Sequence, residues 1–325
     1  MSEGVFPSGS AAVAVGDKEP IVRATAPARL YDIASLTKVF VATVLHRLRA
    51  RGSLDLDASL GRLWPDLAGL PVAAESVRAL LSHRSGLPAW LPLYATAAGR
   101  DVVMAAARAP TDGPRPTYSD LGFILLGALC ERISGCDLPD LLSVEVLDPL
   151  GLPSVRYGPV RPDETHPTGH CVFRDRPIVG EVNDENAAAM GGISGHAGLF
   201  ARVEDVCRLG SAWLSSIEDR GGPLPADLAR EATTSVEPGA HALGWDTTRP
   251  EGSSAGSLMG PRTFGHLGFT GCSLWVDPDA RVSIALLTNR VHPTRDNLAI
   301  RAFRPAFHDT VMRAVLQEGL QDGSP

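Results

Sequence analysis

Short apolar runs with turn residues between them open the chain. Residues 11–15 (AAVAV) and 21–25 (IVRAT) read as two strands joined by the turn GDKEP. From Ala34 to Arg51 the period changes. Leu36, Val39, Phe40, Thr43, Val44 and Arg47 recur at three- and four-residue steps, which predicts a helix stopped by Gly52. From residue 53 to about 190 the pattern is mainly helices and loops. SVRALLSHRSG, YSDLGFILLGALCERISG and DLLSVEVLDPLGL each read as a helix closed by glycine or proline. VEDVCRLGSAWLSSI is a further amphipathic helix behind the loop GGISGHAGLF. In the last third, FGHLGFTGCSLWVDP and ARVSIALLTNR read as two strands joined at Asp277-Pro278-Asp279-Ala280. Residues 297–318 read as a closing helix, and the Gly/Ser-rich stretch 250–261 as a mobile loop.

Strands at both ends and helices in the middle predict one α/β domain over residues 1–325. Its antiparallel sheet is built from the N- and C-terminal segments and flanked by helices, about 1–55 and 195–325. A mainly helical region, about 56–194, is inserted into it.

Composition narrows the function classes. With 325 residues and 44% hydrophobic positions, the chain can bury a large core. A net charge of −7 argues against nucleic acid as a partner. No apolar run nears the roughly 18 residues that span a bilayer, so no membrane partner is expected. The first residues lack a basic flank followed by an apolar stretch, which points away from a secretory signal and toward the cytoplasm. Five cysteines without a CxxC indicate neither a disulfide framework nor a zinc knuckle. Of 30 basic residues only Lys18 and Lys38 are lysine. No Gly-Lys pair exists, so no Walker A loop exists either. Lys18 sits in a turn, whereas Lys38 sits where arginine could not serve.

Ser35-Leu36-Thr37-Lys38 is an S-x-x-K at the head of the first helix. Positions three apart share a helical face, so hydroxyl and amine come within reach. A serine hydroxyl is a poor nucleophile until a base takes its proton. Lysine can be that base when its pKa is lowered, and arginine cannot. Tyr118-Ser119-Asp120 precedes the apolar helix, and a phenol can relay a proton. His266-Leu267-Gly268, followed by Phe269, lies in a predicted strand whose glycines let a carbonyl approach backbone N–H groups. Each motif alone also fits a helix cap or an edge strand.

Together and in this order the three motifs resemble the serine β-lactamase and penicillin-binding-protein superfamily, in its class C-like branch. The similarity runs through YDIASLTKVFVATVLHRLRARGSLDLDASL, LLSHRSGLPAW, YSDLGFILLGALCERISG, NDENAAAMGGISGHAGLFARVEDVCRL and GHLGFTGCSLWVDP. The resemblance implies Ser35 as acylated nucleophile, Lys38 as the group that activates it and Tyr118 as a second proton-transfer residue. It implies an oxyanion hole from the backbone N–H groups of Ser35 and Phe269, and substrate contacts at Asp120, His266, Leu267 and Gly268. It implies no cofactor and no metal.

Departures from the family pattern set the expected substrate. Asp120 stands where penicillin-directed members usually have Asn. His266 and Leu267 stand where they have Lys and Thr. Both changes remove attraction for an anionic lactam or D-Ala terminus, so small neutral esters are the expected substrates. β-Lactamase, D-amino-acid peptidase or carboxypeptidase, acyltransferase and a non-catalytic binding module are the alternatives. A Gly252-Ser253-Ser254-Ala255-Gly256 decoy fits G-x-S-x-G, with Asp277 and His292 behind it, but lacks the strand before and the helix after. His166 and His170 are separated by Pro167 and Gly169, which argues against a helical metal pair. One closing helix over the sheet leaves both a monomer and a homodimer open.

Overall fold

The structure, a computed structural model, describes residues 4–235, 240–249 and 251–322. Its main sheet has six strands: β1 (Gly9–Val15), β2 (Ile21–Ala24), β3 (Asp246–Thr247), β4 (Phe264–Leu267), β5 (Ser273–Asp277) and β6 (Val282–Thr288). They run in the order β2-β1-β6-β5-β4-β3, antiparallel at every pairing. The chain's two ends meet where Val13 faces Ile284 across β1 and β6. Every residue of β6 is buried, and for this reason VSIALLT does not alternate with polar residues.

Four helices position the site: α1 (Thr37–Ala50), α2 (Asp120–Ser134), α3 (Val203–Ile217) and α4 (Ile300–Asp322). The helix α3 packs on one face of the sheet. The Cys207 carbonyl accepts from Ser283 Oγ at 2.9 Å, and Gly210 leaves room for Val276 and Leu274. The opposite face is covered by α4, where Met312 packs with Val282 and Ile284. Trp213 Nε1 on α3 donates to Thr43 Oγ1 on α1 at 3.0 Å, tying α1 to the sheet layer. The uninterrupted run from Leu121 to Leu126 on α2 is buried all round, as an unbroken apolar helix must be.

Three readings of the sequence change. The segment 264–278 is two strands, because Gly268 N donates to Cys272 O at 2.7 Å and closes a turn. Gly271 takes φ +107° there, a conformation that favours glycine. The helix expected from Ala34 begins instead as a 3-10 turn over Ala34–Leu36 and becomes α-helical at Thr37. The loop after Pro250, which itself lies outside the described residues, is fastened to α4. Asp309 Oδ1 accepts from Ser257 N at 2.6 Å and from Leu258 N at 3.1 Å. The mainly helical stretch also holds short strands at Arg156–Tyr157, His170–Cys171 and Arg176–Pro177. The first of these pairs with Leu199–Ala201, which pairs in turn with Tyr31–Asp32 beside the site.

Candidate active site

Ser35 sits on the 3-10 turn before α1, and Lys38 one turn along. Lys38 Nζ donates to Ser35 Oγ at 2.9 Å and to the His196 carbonyl at 3.1 Å. It also meets Asp120 Oδ1 at 2.7 Å, as a charge pair off the hydrogen-bonding directions. The ammonium lies 5.1 Å from the centre of the Tyr118 ring. Three distant segments therefore converge on one amine.

The remaining expected residues gather above it. Ser35, Tyr118 and Asp120 line a cavity of about 690 Å³ together with His266, Leu267, Gly268 and Phe269. Lys38 lies under the floor with no exposed surface. Gly268 has a packing reason to be glycine. A Cβ there would stand 2.6 Å from the Ile33 carbonyl and 2.9 Å from Cys272 Cβ, so only glycine lets the Phe269 turn approach the Ser35 turn this closely. His266 is buried, with Nδ1 against its neighbour's carbonyl at 2.8 Å. Burial, with Lys38 nearby, pulls it down to about 3, so it is a neutral imidazole.

Protonation of the central groups follows from burial and charge. Burial draws the Lys38 ammonium down, but the Asp120 carboxylate and Tyr118 outweigh it and hold its pKa above the ordinary lysine value. Burial pushes the Tyr118 phenol up, with Asp120 reinforcing the rise and Lys38 opposing it. The resting pair is thus an ammonium beside a neutral phenol.

Several supporting residues carry no motif and escape the sequence reading. Asp32 is buried, and its two carboxylate oxygens accept from Ala34 N at 2.8 Å and Asn183 N at 2.6 Å. Its carbonyl accepts from Thr270 Oγ1 at 2.7 Å. One residue thereby ties the Ser35 turn, the loop after Asn183 and the Phe269 turn. Burial lifts its carboxyl to about 6. Arg304 Nη2 donates to the Gly268 and Cys272 carbonyls, both at 2.7 Å, and Arg290 Nε donates to Phe269 O at 2.9 Å. These arginines brace the turn that carries the Phe269 N–H.

Under the lysine lies a second polar chain. His196 contacts Asp184 Oδ1 through Nε2 at 2.8 Å and Ser194 Oγ through Nδ1 at 2.8 Å. The three side chains have the order of a Ser-His-Asp triad, but Ser194 is 2% exposed and absent from the cavity wall. The arrangement instead fixes the loop whose carbonyl holds Lys38. That loop reaches the lysine because Gly195 packs on Gly127 of α2, where a Cβ on Gly195 would fall 2.1 Å from Phe123 O.

The G-x-S-x-G decoy lies beside a larger groove of about 1340 Å³. Asp277 instead accepts from Gly260 N at 2.7 Å, and His292 contacts Thr168 O at 2.7 Å, so neither serves Ser254. His166 packs against Tyr31 with ring centres 4.4 Å apart. Among the described residues no group of three His, Cys, Asp or Glu is placed to hold a metal, and no helix is long and apolar enough to cross a membrane.

The Beta-lactamase family model matches residues 1–305. The chain belongs to the Beta-lactamase family. It is 31% identical over 306 residues to the N-acetylmuramyl-L-alanine amidase of Bacillus subtilis (strain 168), covering 81% of this chain and 68% of that one. A class C beta lactamase from Rhodobacter sphaeroides superposes with a TM-score of 0.72 at 18% identity, over 95% of this chain and 96% of that chain. EstCE1, a hydrolase with promiscuous acyltransferase activity, superposes with a TM-score of 0.71 at 20% identity, over 92% of this chain and 94% of that chain. At these identities the two superpositions show the fold: β-lactamase/transpeptidase-like. The protein is a Beta-lactamase-family serine hydrolase.

Proposed function

We propose that this family member is a carboxylesterase for small neutral esters, acting through an acyl-enzyme on Ser35. The observation that carries the reading is the 2.9 Å contact between Ser35 Oγ and Lys38 Nζ at the floor of the cavity. In this reading Ser35 attacks the ester carbonyl, and the oxyanion forms against the N–H groups of Ser35 and Phe269. Tyr118, a neutral phenol, protonates the departing alkoxide. Water then hydrolyses the acyl-serine. Neutral His266 and aliphatic Leu267 offer a substrate carboxylate no cation on β4. Exposed Trp90 and Phe269 at the cavity wall suit apolar acyl or alcohol groups.

A second reading rests on Arg301. It is exposed, it lines the same cavity, and it could meet a carboxylate-ended peptide or lactam. Amidase activity in the Bacillus subtilis relative belongs with this alternative. The kcat/KM values for p-nitrophenyl butyrate, nitrocefin and a D-Ala-D-Ala peptide separate the two. The esterase reading expects the ester to lead, and a leading nitrocefin or peptide value would replace it with the second reading.

A further inference from the structure

The resting charges leave acylation in need of a proton acceptor. Lys38 donates to Ser35 Oγ, and an ammonium has no lone pair with which to take the serine proton. Tyr118 is held as a phenol by burial. The carboxylate beside Lys38 is Asp120, on the first turn of α2. Its Oδ1 stands 2.7 Å from Lys38 Nζ and has no aligned hydrogen-bond donor, and its side chain is 18% exposed to the cavity. We infer that Asp120 is the proton acceptor of acylation, working through Lys38, whose Nζ lies 2.9 Å from Ser35 Oγ and 2.7 Å from Asp120 Oδ1; an Nζ–H turns onto Oδ1 as the serine proton arrives. The inference rests on the reading of Ser35 as nucleophile and adds to it the destination of the proton.

As Ser35 Oγ bonds to the acyl carbon, its proton moves to Lys38 Nζ and an Nζ proton moves to Asp120 Oδ1. Lys38 begins and ends as an ammonium, so no free buried amine accumulates. The carbonyl π electrons become the oxyanion. On collapse the bond to the leaving oxygen or nitrogen breaks, and that atom takes the Tyr118 proton. Tyr118 recovers a proton from Lys38, which recovers one from Asp120. One ester or amide has become one acyl-serine and one alcohol or amine. The family's Asn could grip a substrate amide at this position but could not accept this proton.

Other ionisable groups face the assembly. His83, His241 and His266 surround the Tyr118 ring, with centroids 4.5, 5.6 and 5.9 Å away. Burial draws all three below the ordinary histidine value. Asp184, behind His196, is drawn down to about 2 against its burial by His196 and by its hydrogen bonds. The neutral-to-alkaline rate profile therefore reports the serine–lysine–aspartate set.

Pre-steady-state acylation by p-nitrophenyl acetate, measured across pH for wild type, D120N and D120E, tests the inference. Wild type is expected to be flat from neutral pH upward. In D120N the deficit is expected to be greatest at acid pH, about 10²-fold, the scale of a lost general base. It closes as pH rises and the now unpaired Lys38 releases its proton. D120E is expected to keep the flat profile within about tenfold, with KM near wild type. A D120N profile parallel to wild type with only KM changed would make Asp120 a substrate contact and overturn the inference. So would a wild-type rate that climbs with pH as a free amine does, a result that needs no folded variant. Peptide mapping separates the two levels. An acyl group on Ser35 with the wrong profile overturns the role of Asp120 alone, and no acyl group on Ser35 overturns the underlying reading and this one together.

Discussion

Asp32 Oδ1 holds the backbone N–H of Ala34 at 2.8 Å, and Ala34 stands at φ +47°, directly before Ser35. A non-glycine residue in the left-handed region stores of order 1 kcal/mol or more of strain, which the surroundings must sustain. The Asp32 carboxylate is the group that sustains it, while its second oxygen and its carbonyl fasten two other walls of the cavity.

Replacing Asp32 by Asn keeps the shape but puts an amide NH2 against one of two backbone donors. The expected result is a kcat loss of about 10- to 100-fold with KM changed little, because misplacing reacting groups costs rate more than binding. Steady-state kinetics on p-nitrophenyl butyrate check it. An unchanged kcat would remove Asp32 from the positioning of Ser35.

Gly268→Ala places a methyl group 2.6 Å from the Ile33 carbonyl, backbone against backbone. The Phe269 turn must then retreat from the Ser35 turn. The expected cost is about 1–3 kcal/mol of stability, the usual scale for overpacking. A fall in kcat should accompany it as the backbone N–H groups of Ser35 and Phe269, the proposed oxyanion donors, separate. Denaturant unfolding and kinetics on the same sample check both.

Stability should fall in acid through Asp184. Its folded-state value of about 2 lies below the ordinary aspartate value, despite burial, because of His196 and its hydrogen bonds. A depressed carboxyl contributes stability above the unfolded-state pKa, near 3.9, and loses it as pH falls through the folded-state value. The contribution is about 2–3 kcal/mol, lost progressively from about pH 5 to pH 1. Asp184→Asn should flatten that part of the pH–stability curve. A wild-type curve of the same steepness in the variant would contradict the assignment.

Restoring the family's cation probes selectivity. His266→Lys with Leu267→Thr returns charge and a hydroxyl to β4. Relative to p-nitrophenyl butyrate, the nitrocefin rate should rise by at least about tenfold, the worth of one added charge-assisted hydrogen bond. No shift in the ratio would mean that β4 does not set substrate charge preference.

Much of this architecture is legible in the sequence because its signals are local. S-x-x-K fixes Ser35 and Lys38 on one turn, and the period of Leu36 to Arg47 gives the helix. The Asp277-Pro278-Asp279 turn stands where expected, with Asp277 Oδ1 accepting from Asp279 N at 2.8 Å. The illegible part is long-range. Asp32 and Thr270 are 238 positions apart, and no spacing rule joins them. Asp120 reads as a missing Asn and hence as a repulsive charge. In the fold Lys38 offsets that charge, so Asp120 faces Lys38 as well as the cavity. The split of 264–278 into two strands turns on a five-residue closure at Gly268 and Cys272, which an apolar pattern does not reveal.

The central claim is that Ser35 carries the acyl group, and intact-mass analysis with peptide mapping after brief exposure to a fluorophosphonate or p-nitrophenyl butyrate tests it most directly. The account predicts one adduct per chain on the peptide containing Ser35, absent in Ser35→Ala and retained in Ser194→Ala and Ser254→Ala. An adduct on Ser254 or Ser194, or undiminished labelling of Ser35→Ala, would contradict it.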